Sequence, residues 1–102
     1  MNPKFLIVSD PATPLIGTFV YGLVYQHKEL KKGYVTTHGG GWYHKDDVRK
    51  IMTLYGSSGD YGEPDFRFLD RIPSELLGYS FVYQEGWGGE ERELSLEGVE
   101  WI

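Results

Sequence analysis

The residue types best able to do chemistry are concentrated between Gly33 and Gly62, a stretch that holds two of the three histidines of this 102-residue chain. An imidazole beside a carboxylate can act as a general acid/base, because histidine changes its charge near neutral pH. Two carboxylates follow the histidines, Asp60 near the end of this stretch and Glu63 directly after it. The sequence therefore predicts four candidates for catalysis, which are His38, His44, Asp60 and Glu63.

Histidines followed by acidic residues are also the ligand types of a zinc or iron(II) site. His38 and His44 are six residues apart, and Asp46 and Asp47 come directly after them. This separation does not place both imidazoles on one face of a helix, and it matches no metal-binding motif. We predict neither a metal nor a cofactor.

The run Gly39-Gly40-Gly41 lies between these two histidines. Residues without a Cβ can turn several backbone N–H groups toward one anion. A phosphate-binding loop, however, leads into a helix and carries Gly-Lys-Ser/Thr or G-x-G-x-x-G, and neither pattern is present. We therefore predict a flexible connector between two strands.

The segment from Gly56 to Glu63 contains two serines that a histidine and an acid could activate as nucleophiles. The pattern G-x-S-x-G is absent, and a small sheet-rich domain lacks the strand–turn–helix that this pattern requires. A solvated turn is the preferred interpretation. Ser57 is kept as a candidate for ligand binding.

Aromatic residues in glycine-rich surroundings form the second kind of candidate site. Flat rings beside small residues leave room for ring-shaped ligands, sugars or peptide side chains, and Trp and Tyr also carry polar groups. Together with Ser57, five aromatic residues are predicted to bind a ligand: Trp42, Tyr43, Tyr61, Tyr83 and Trp87.

Three classes of function fit these features. We prefer a noncatalytic small-molecule or peptide binding module with an aromatic-walled pocket, because it requires only a cavity. A small hydrolase or isomerase requires a histidine and a carboxylate within hydrogen-bond reach, which no spacing here demands. The third class is a protein that binds a partner through acidic residues, namely Glu85, Glu90, Glu91, Glu93, Glu97 and Glu100.

The charge of the chain bears on its partners. The formal net charge is −5, with an excess of positive charge in residues 1–51 and of negative charge in residues 52–102. We expect the two halves to attract each other inside the fold. An acidic chain argues against nucleic acid, because phosphate binding requires a basic patch. The predicted partner is a small molecule or a protein, and homodimer formation is compatible with the sequence.

Hydrophobic alternation with a period near two predicts strands over Lys4–Val8, Thr18–Gln26, Tyr34–His38 and Tyr79–Gln84, with 18–38 forming a hairpin. Residues 45–55 fit both an amphipathic helix and a strand hairpin, and we favour the hairpin. A short helix is predicted at about 64–72, and a last hairpin joins Glu93–Leu96 to Val99–Ile102. The predicted fold class is α+β, a mostly antiparallel curved sheet or partly open barrel with one short helix.

The length predicts a single domain spanning residues 1–102. Its apolar content is sufficient for a core, and the chain has no cysteine, so disulfides and thiolate chemistry are excluded. The amino-terminal apolar run Phe5–Val8 is too short for a signal-peptide core or a membrane span. We therefore expect no membrane association and a cytoplasmic location.

Overall fold

The strands of this protein form one mixed eight-stranded sheet in a computed structural model that describes residues 1–34, 36–86 and 89–102. The strand order is β7-β6-β4-β3-β1-β2-β5-β8. The strands are β1 (Asn2–Ser9), β2 (Thr18–Val24), β3 (Thr36–Asp46), β4 (Ile51–Tyr55), β5 (Arg71–Ile72), β6 (Ser80–Gln84), β7 (Glu91–Glu93) and β8 (Glu100–Trp101). One short helix, α1 (Lys28–Lys31), and two 3-10 turns, Phe66–Phe68 and Ser74–Leu76, complete the regular structure of the described residues.

The two faces of the sheet carry cores of different size. Because strand side chains alternate, β1 sends Phe5 and Ile7 to one face and Leu6 and Val8 to the other. The first face builds the main core, a buried aromatic and aliphatic cluster that also includes side chains of β2, β4 and β6. The opposite face builds a second core in which Leu30 of α1 packs on Leu6 and Val8. Strand β1 is therefore buried on both faces.

The predicted fold class is confirmed, since the protein is a sheet-rich α+β domain with little helix. The favoured hairpin over residues 45–55 is also confirmed. Strand β3 ends at Asp46, whose carboxylate accepts hydrogen bonds from the backbone N–H groups of Val48 and Arg49, and β4 returns beside β3. Three of the strand pairs are parallel, namely β2–β5, β4–β6 and β5–β8, so the sheet is mixed.

The predicted 18–38 hairpin is wrong. Strand β1 lies between β2 and β3 and pairs antiparallel with both. The cause is the continuous apolar run of β1, because a strand that is apolar on both faces is most stable in the middle of a sheet. The connection from β2 to β3 passes through α1 rather than through a tight turn.

Two other elements differ from expectation in extent or pairing. The helix predicted at about 64–72 is one 3-10 turn, Phe66–Phe68, after which the chain becomes extended in β5. The predicted last hairpin is wrong, because β7 pairs with β6 while β8 pairs with β5. The backbone hydrogen bonds of β5, to β2 and β8, account for both differences, since Arg71–Ile72 is drawn into the sheet.

Candidate functional site

The site is built on the three consecutive glycines, which are not a connector but the buried middle of β3. A Cβ at Gly40 would lie 2.2 Å from the carbonyl oxygen of Phe5, and a Cβ at Gly41 would lie 2.5 Å from that of Tyr55. At Gly39, whose φ is +84°, it would lie 1.8 Å from the carbonyl oxygen of Glu63. Glycine is therefore required because neighbouring backbone approaches β3 on both sides.

This close approach brings the segment 57–63 directly onto the backbone of β3. The Ser58 N–H donates to the Gly40 carbonyl at 2.9 Å, and the Gly40 N–H donates to the Gly62 carbonyl at 3.2 Å. Within the segment, the Ser58 hydroxyl oxygen accepts a hydrogen bond from the Tyr61 N–H at 3.2 Å. The segment is thus a turn fixed by backbone contacts, and it carries Asp60 and Tyr61 at its tip.

A cleft of about 460 Å³ lies under this turn, on the face of the sheet that carries the second core. Its volume falls within the range of small-molecule sites. Residues 26–28 form one side and residues 59–61 the other, with Lys4 of β1 and Trp42 of β3 between them. The cleft therefore contains three of the residues predicted from sequence, namely Trp42, Asp60 and Tyr61.

His27 fixes the geometry beside Trp42. Its side chain is only 4% exposed, and its Nε2 lies 2.8 Å from the Gly41 carbonyl oxygen. Because a carbonyl only accepts hydrogen bonds, Nε2 carries a proton and donates it. The imidazole meets the Trp42 ring edge to face, with the centroids 5.3 Å apart and the planes at 87°. One ring nitrogen is thus committed to holding the indole wall in place.

Lys4 brings a positive charge to the cleft. Its side chain is 9% exposed, and its ammonium group donates to the Tyr25 carbonyl and lies 6.0 Å from the centroid of the Trp42 ring. Over residues 1–34, 36–86 and 89–102, no carboxylate lies within 4.0 Å of this ammonium. The cleft thus combines two aromatic walls with a buried cation that has no ionic partner in this part of the chain.

The structure places other predicted pocket residues elsewhere. Tyr43 points to the opposite face of the sheet, where it packs edge to face on Tyr21 in the main core. Burial raises the pKa of the Tyr43 phenol. Tyr83 and Glu63 line a separate cavity of about 290 Å³, and Ser57 is exposed and does not line the cleft. Trp87 lies outside the described residues.

The predicted acid/base residues are also separated. The His38 ring stacks on the Phe68 ring with the two centroids 3.9 Å apart, and its Nε2 lies 2.8 Å from the Ser9 hydroxyl oxygen. That hydroxyl is fully buried and donates its proton to the Ile16 carbonyl at 2.7 Å, so it accepts from His38. His44 is exposed on β3 opposite Thr53. Of the four candidates for catalysis, Asp60 is the one that lines the cleft.

The glutamates predicted as a partner surface are divided between several elements. Glu91 and Glu93 lie on β7, while Glu100 lies on β8 at the other end of the strand order. Glu100 also pairs with Arg71 at 3.3 Å. Within the described ranges, no three side chains of His, Asp or Glu are arranged to hold a metal ion. No helix in this same part of the chain has the length and apolarity needed to cross a membrane.

Lys4 and His27 were missed by the sequence reasoning. Lys4 stands at the edge of an apolar run, and His27 stands where a strand gives way to a turn, so neither belongs to a spacing pattern. Comparison of the chain with protein-family models, curated proteins and solved structures found no significant match. The functional proposal therefore rests on the geometry of the cleft.

Proposed function

We propose that this protein is a noncatalytic small-molecule binding module whose ligand occupies the cleft between residues 26–28 and 59–61. The observation that carries the proposal is that Trp42 and Tyr61 face one cavity of about 460 Å³ together with polar groups from three chain segments. Flat aromatic walls with a few fixed polar groups are the usual composition of small-molecule sites. A ligand with a planar ring suits these walls.

The rigidity of the walls supports binding. Trp42 is held by His27, and the turn that carries Tyr61 is anchored to the backbone of Gly40. A site whose walls are already in place loses less conformational entropy when its ligand binds.

Binding is favoured over catalysis because the acid/base candidates lie apart. A general acid/base pair must reach the same reacting group within hydrogen-bond distance. His38 is engaged with Ser9, and His44 lies outside the lining of the cleft. Asp60 shares the cleft with His27, whose Nε2 is already committed to the Gly41 carbonyl, whereas binding by the two aromatic walls requires no second group.

The proposal is tested by ligand screening followed by mapping. A thermal-shift screen of ring-bearing metabolites should give compounds that raise the melting temperature, since a ligand of the folded state stabilises it. Titration of those compounds into ¹⁵N-labelled protein should shift the Trp42 indole N–H and the amides of residues 26–28 and 59–61. Failure of every compound at millimolar concentration, or shifts centred elsewhere, would reject the proposal.

Two tyrosine variants provide a matched comparison. Tyr61 and Tyr34 both pack against the second core, but Tyr61 lines the cleft and Tyr34 does not. We expect Tyr61→Ala to weaken ligand binding by about tenfold, on the scale of one lost aromatic contact. Tyr34→Ala should lower stability comparably and leave affinity unchanged. Equal losses of affinity in the two variants would indicate an indirect effect of destabilisation.

A further inference from the structure

We infer that the ligand of this cleft carries one carboxylate, which forms an ion pair with the ammonium group of Lys4. The inference rests on the proposed function and specifies its ligand class as small planar-ring monocarboxylates. The starting observation is an imbalance of charge in the cleft. The ammonium of Lys4 lines it, and among the residues that the structure describes no carboxylate lies within 4.0 Å of this ammonium.

The Lys4 side chain is largely covered, and it lines the open cleft, so its ammonium faces the space that a ligand would fill. A charged group that is partly removed from water gains from a partner of opposite charge that also hydrogen-bonds to it. An ammonium has three N–H donors, and the Tyr25 carbonyl takes one of them. The Trp42 ring, 6.0 Å away, adds a weak cation–π attraction. An incoming carboxylate supplies both the missing charge and an acceptor for the remaining donors.

The position of Lys4 links this charge to the aromatic walls. Lys4 is paired in register with Trp42 across β1 and β3, so the ammonium and the indole belong to adjacent positions on one face of the sheet. A ring that contacts Trp42 can therefore place a carboxylate on a short arm beside Lys4. The geometry fits an acid whose charge is one or two bonds from its ring.

The other charged residues of the cleft limit the ligand to a single negative charge. Lys28 adds a positive charge at the side formed by residues 26–28, and Asp60 adds a negative charge at the opposite side. His27 contributes a donor that is already used by Gly41. Because like charges repel across a partly enclosed cleft, Asp60 disfavours a second negative charge such as that of a phosphate dianion. A phosphate monoester is therefore expected to bind less tightly than a carboxylate.

A set of four phenyl compounds tests the inference with the wild-type protein. Phenylacetate, phenylacetamide, phenethylamine and phenyl phosphate carry the same ring with a single negative, neutral, positive and doubly negative group at pH 8. Their affinities are measured by the shift of the Trp42 indole N–H in NMR titrations. We expect phenylacetate to bind at least about tenfold more tightly than the amide, the scale of a charged hydrogen bond, with the amine and the phosphate also weaker than phenylacetate.

Variants assign the preference to Lys4. Lys4→Met keeps a flexible apolar stem of four atoms and removes the charge, so phenylacetate should lose its advantage over the amide. Lys31→Met is the control, because Lys31 lies in α1 outside the cleft. Asp60→Asn should improve phenyl phosphate binding relative to phenylacetate.

The outcomes separate the inference from the proposed function. Equal binding of all four compounds at the cleft would retain the binding module and overturn the carboxylate inference. Tighter binding of the phosphate would also overturn it, in favour of a phosphate site. No binding of any compound would overturn the inference as well as weaken the proposed function. If Lys4→Met fails to fold, the wild-type affinity order still decides, since a preference for the amide or the amine refutes the inference.

Discussion

Replacement of Gly39 by alanine tests whether close backbone contact holds the turn of residues 57–63 onto β3. The change introduces two separate costs. Gly39 has a φ of +84°, where a residue with a Cβ is strained by about 1–2 kcal/mol. The new Cβ would also lie 1.8 Å from the carbonyl oxygen of Glu63, which forces the backbone to shift at a further cost of about 1–3 kcal/mol.

The expected loss is therefore about 2–5 kcal/mol of unfolding free energy, the sum of these two costs. A domain of this size has a total unfolding free energy of about 5–15 kcal/mol. The Gly39→Ala variant should therefore be measurably less stable than the wild-type protein and still fold, unless the wild-type stability lies at the low end of this range. Urea unfolding followed by circular dichroism gives the loss directly, provided that the m-value stays constant. In a thermal scan, each kcal/mol corresponds to about 4–8 °C.

Two matched glycine variants separate strain from steric contact. Gly78 has a φ of +93° but open space around its Cα, so Gly78→Ala should show the strain alone, about 1–2 kcal/mol. Gly33 has neither a positive φ nor a neighbour within 4 Å, so Gly33→Ala should be neutral or stabilising by up to about 1 kcal/mol. If Gly39→Ala costs no more than Gly78→Ala, the turn is not held by close contact, and our account of the cleft is wrong.

Three further predictions concern the core and its titration. Burial and the hydrogen-bonded Glu75 carboxylate raise the pKa of the Tyr21 phenol, so the folded state keeps this proton more tightly than the unfolded state. Stability should therefore fall as the pH rises above the ordinary tyrosine pKa of about 10, and Tyr21→Phe should reduce that slope in urea titrations between pH 8 and 11. Ser9→Ala should cost about 1–3 kcal/mol in urea unfolding, because it removes the hydrogen-bond partner of both His38 and the Ile16 carbonyl; a neutral result would show that water replaces the hydroxyl. Phe81→Ala, at a fully buried position of the main core, should cost about 3–5 kcal/mol, whereas Val48→Ala, at a side chain that is 93% exposed, should change stability by less than about 0.5 kcal/mol.

The positions of the strands in the sequence were predictable more reliably than the pairing of one strand with another. Alternation of apolar residues depends on one segment and its two faces, and it correctly indicated β1, β2, β6 and the β3–β4 hairpin. Pairing depends on competition between segments. Phe5–Val8 is apolar on both faces, which made it the best central strand, and this property displaced the more local hairpin of residues 18–38.

The two parallel pairs that involve β5, β2–β5 and β5–β8, were not predictable for a related reason. Strands β5 and β8 have two residues each, so their alternation carries almost no signal. Their side chains contribute to the main core, since Ile72 is fully buried there and Trp101 packs against it, and the backbone of Arg71–Ile72 pairs with β2 and β8. Such pairing is decided by tertiary packing rather than by local propensity.

The aromatic walls of the candidate cleft and Asp60 were predictable from the sequence, but the positive charge of Lys4 was not. Trp42 and Tyr61 stood out because they are large residues in glycine-rich segments, and both line the cleft. Tyr43 belongs to the same segment, but the two-residue period of a strand sends it to the opposite face from Trp42. Lys4 gave no signal, because a lysine at the start of an apolar strand is usually exposed, whereas this one is largely covered and donates to the Tyr25 carbonyl.

The glycine run explains how one short segment serves both folding and the cleft. Because residues 39–41 have no side chains, hydrogen-bond donors from other chain segments can approach the backbone carbonyl groups of this part of β3. The Gly40 carbonyl accepts from Ser58, and the Gly41 carbonyl accepts from His27. Opposite sides of the cleft are thereby tied to adjacent residues of one central strand. The position of each side relative to the other therefore depends on hydrogen bonds to the backbone of β3 rather than on contacts between side chains across the cleft.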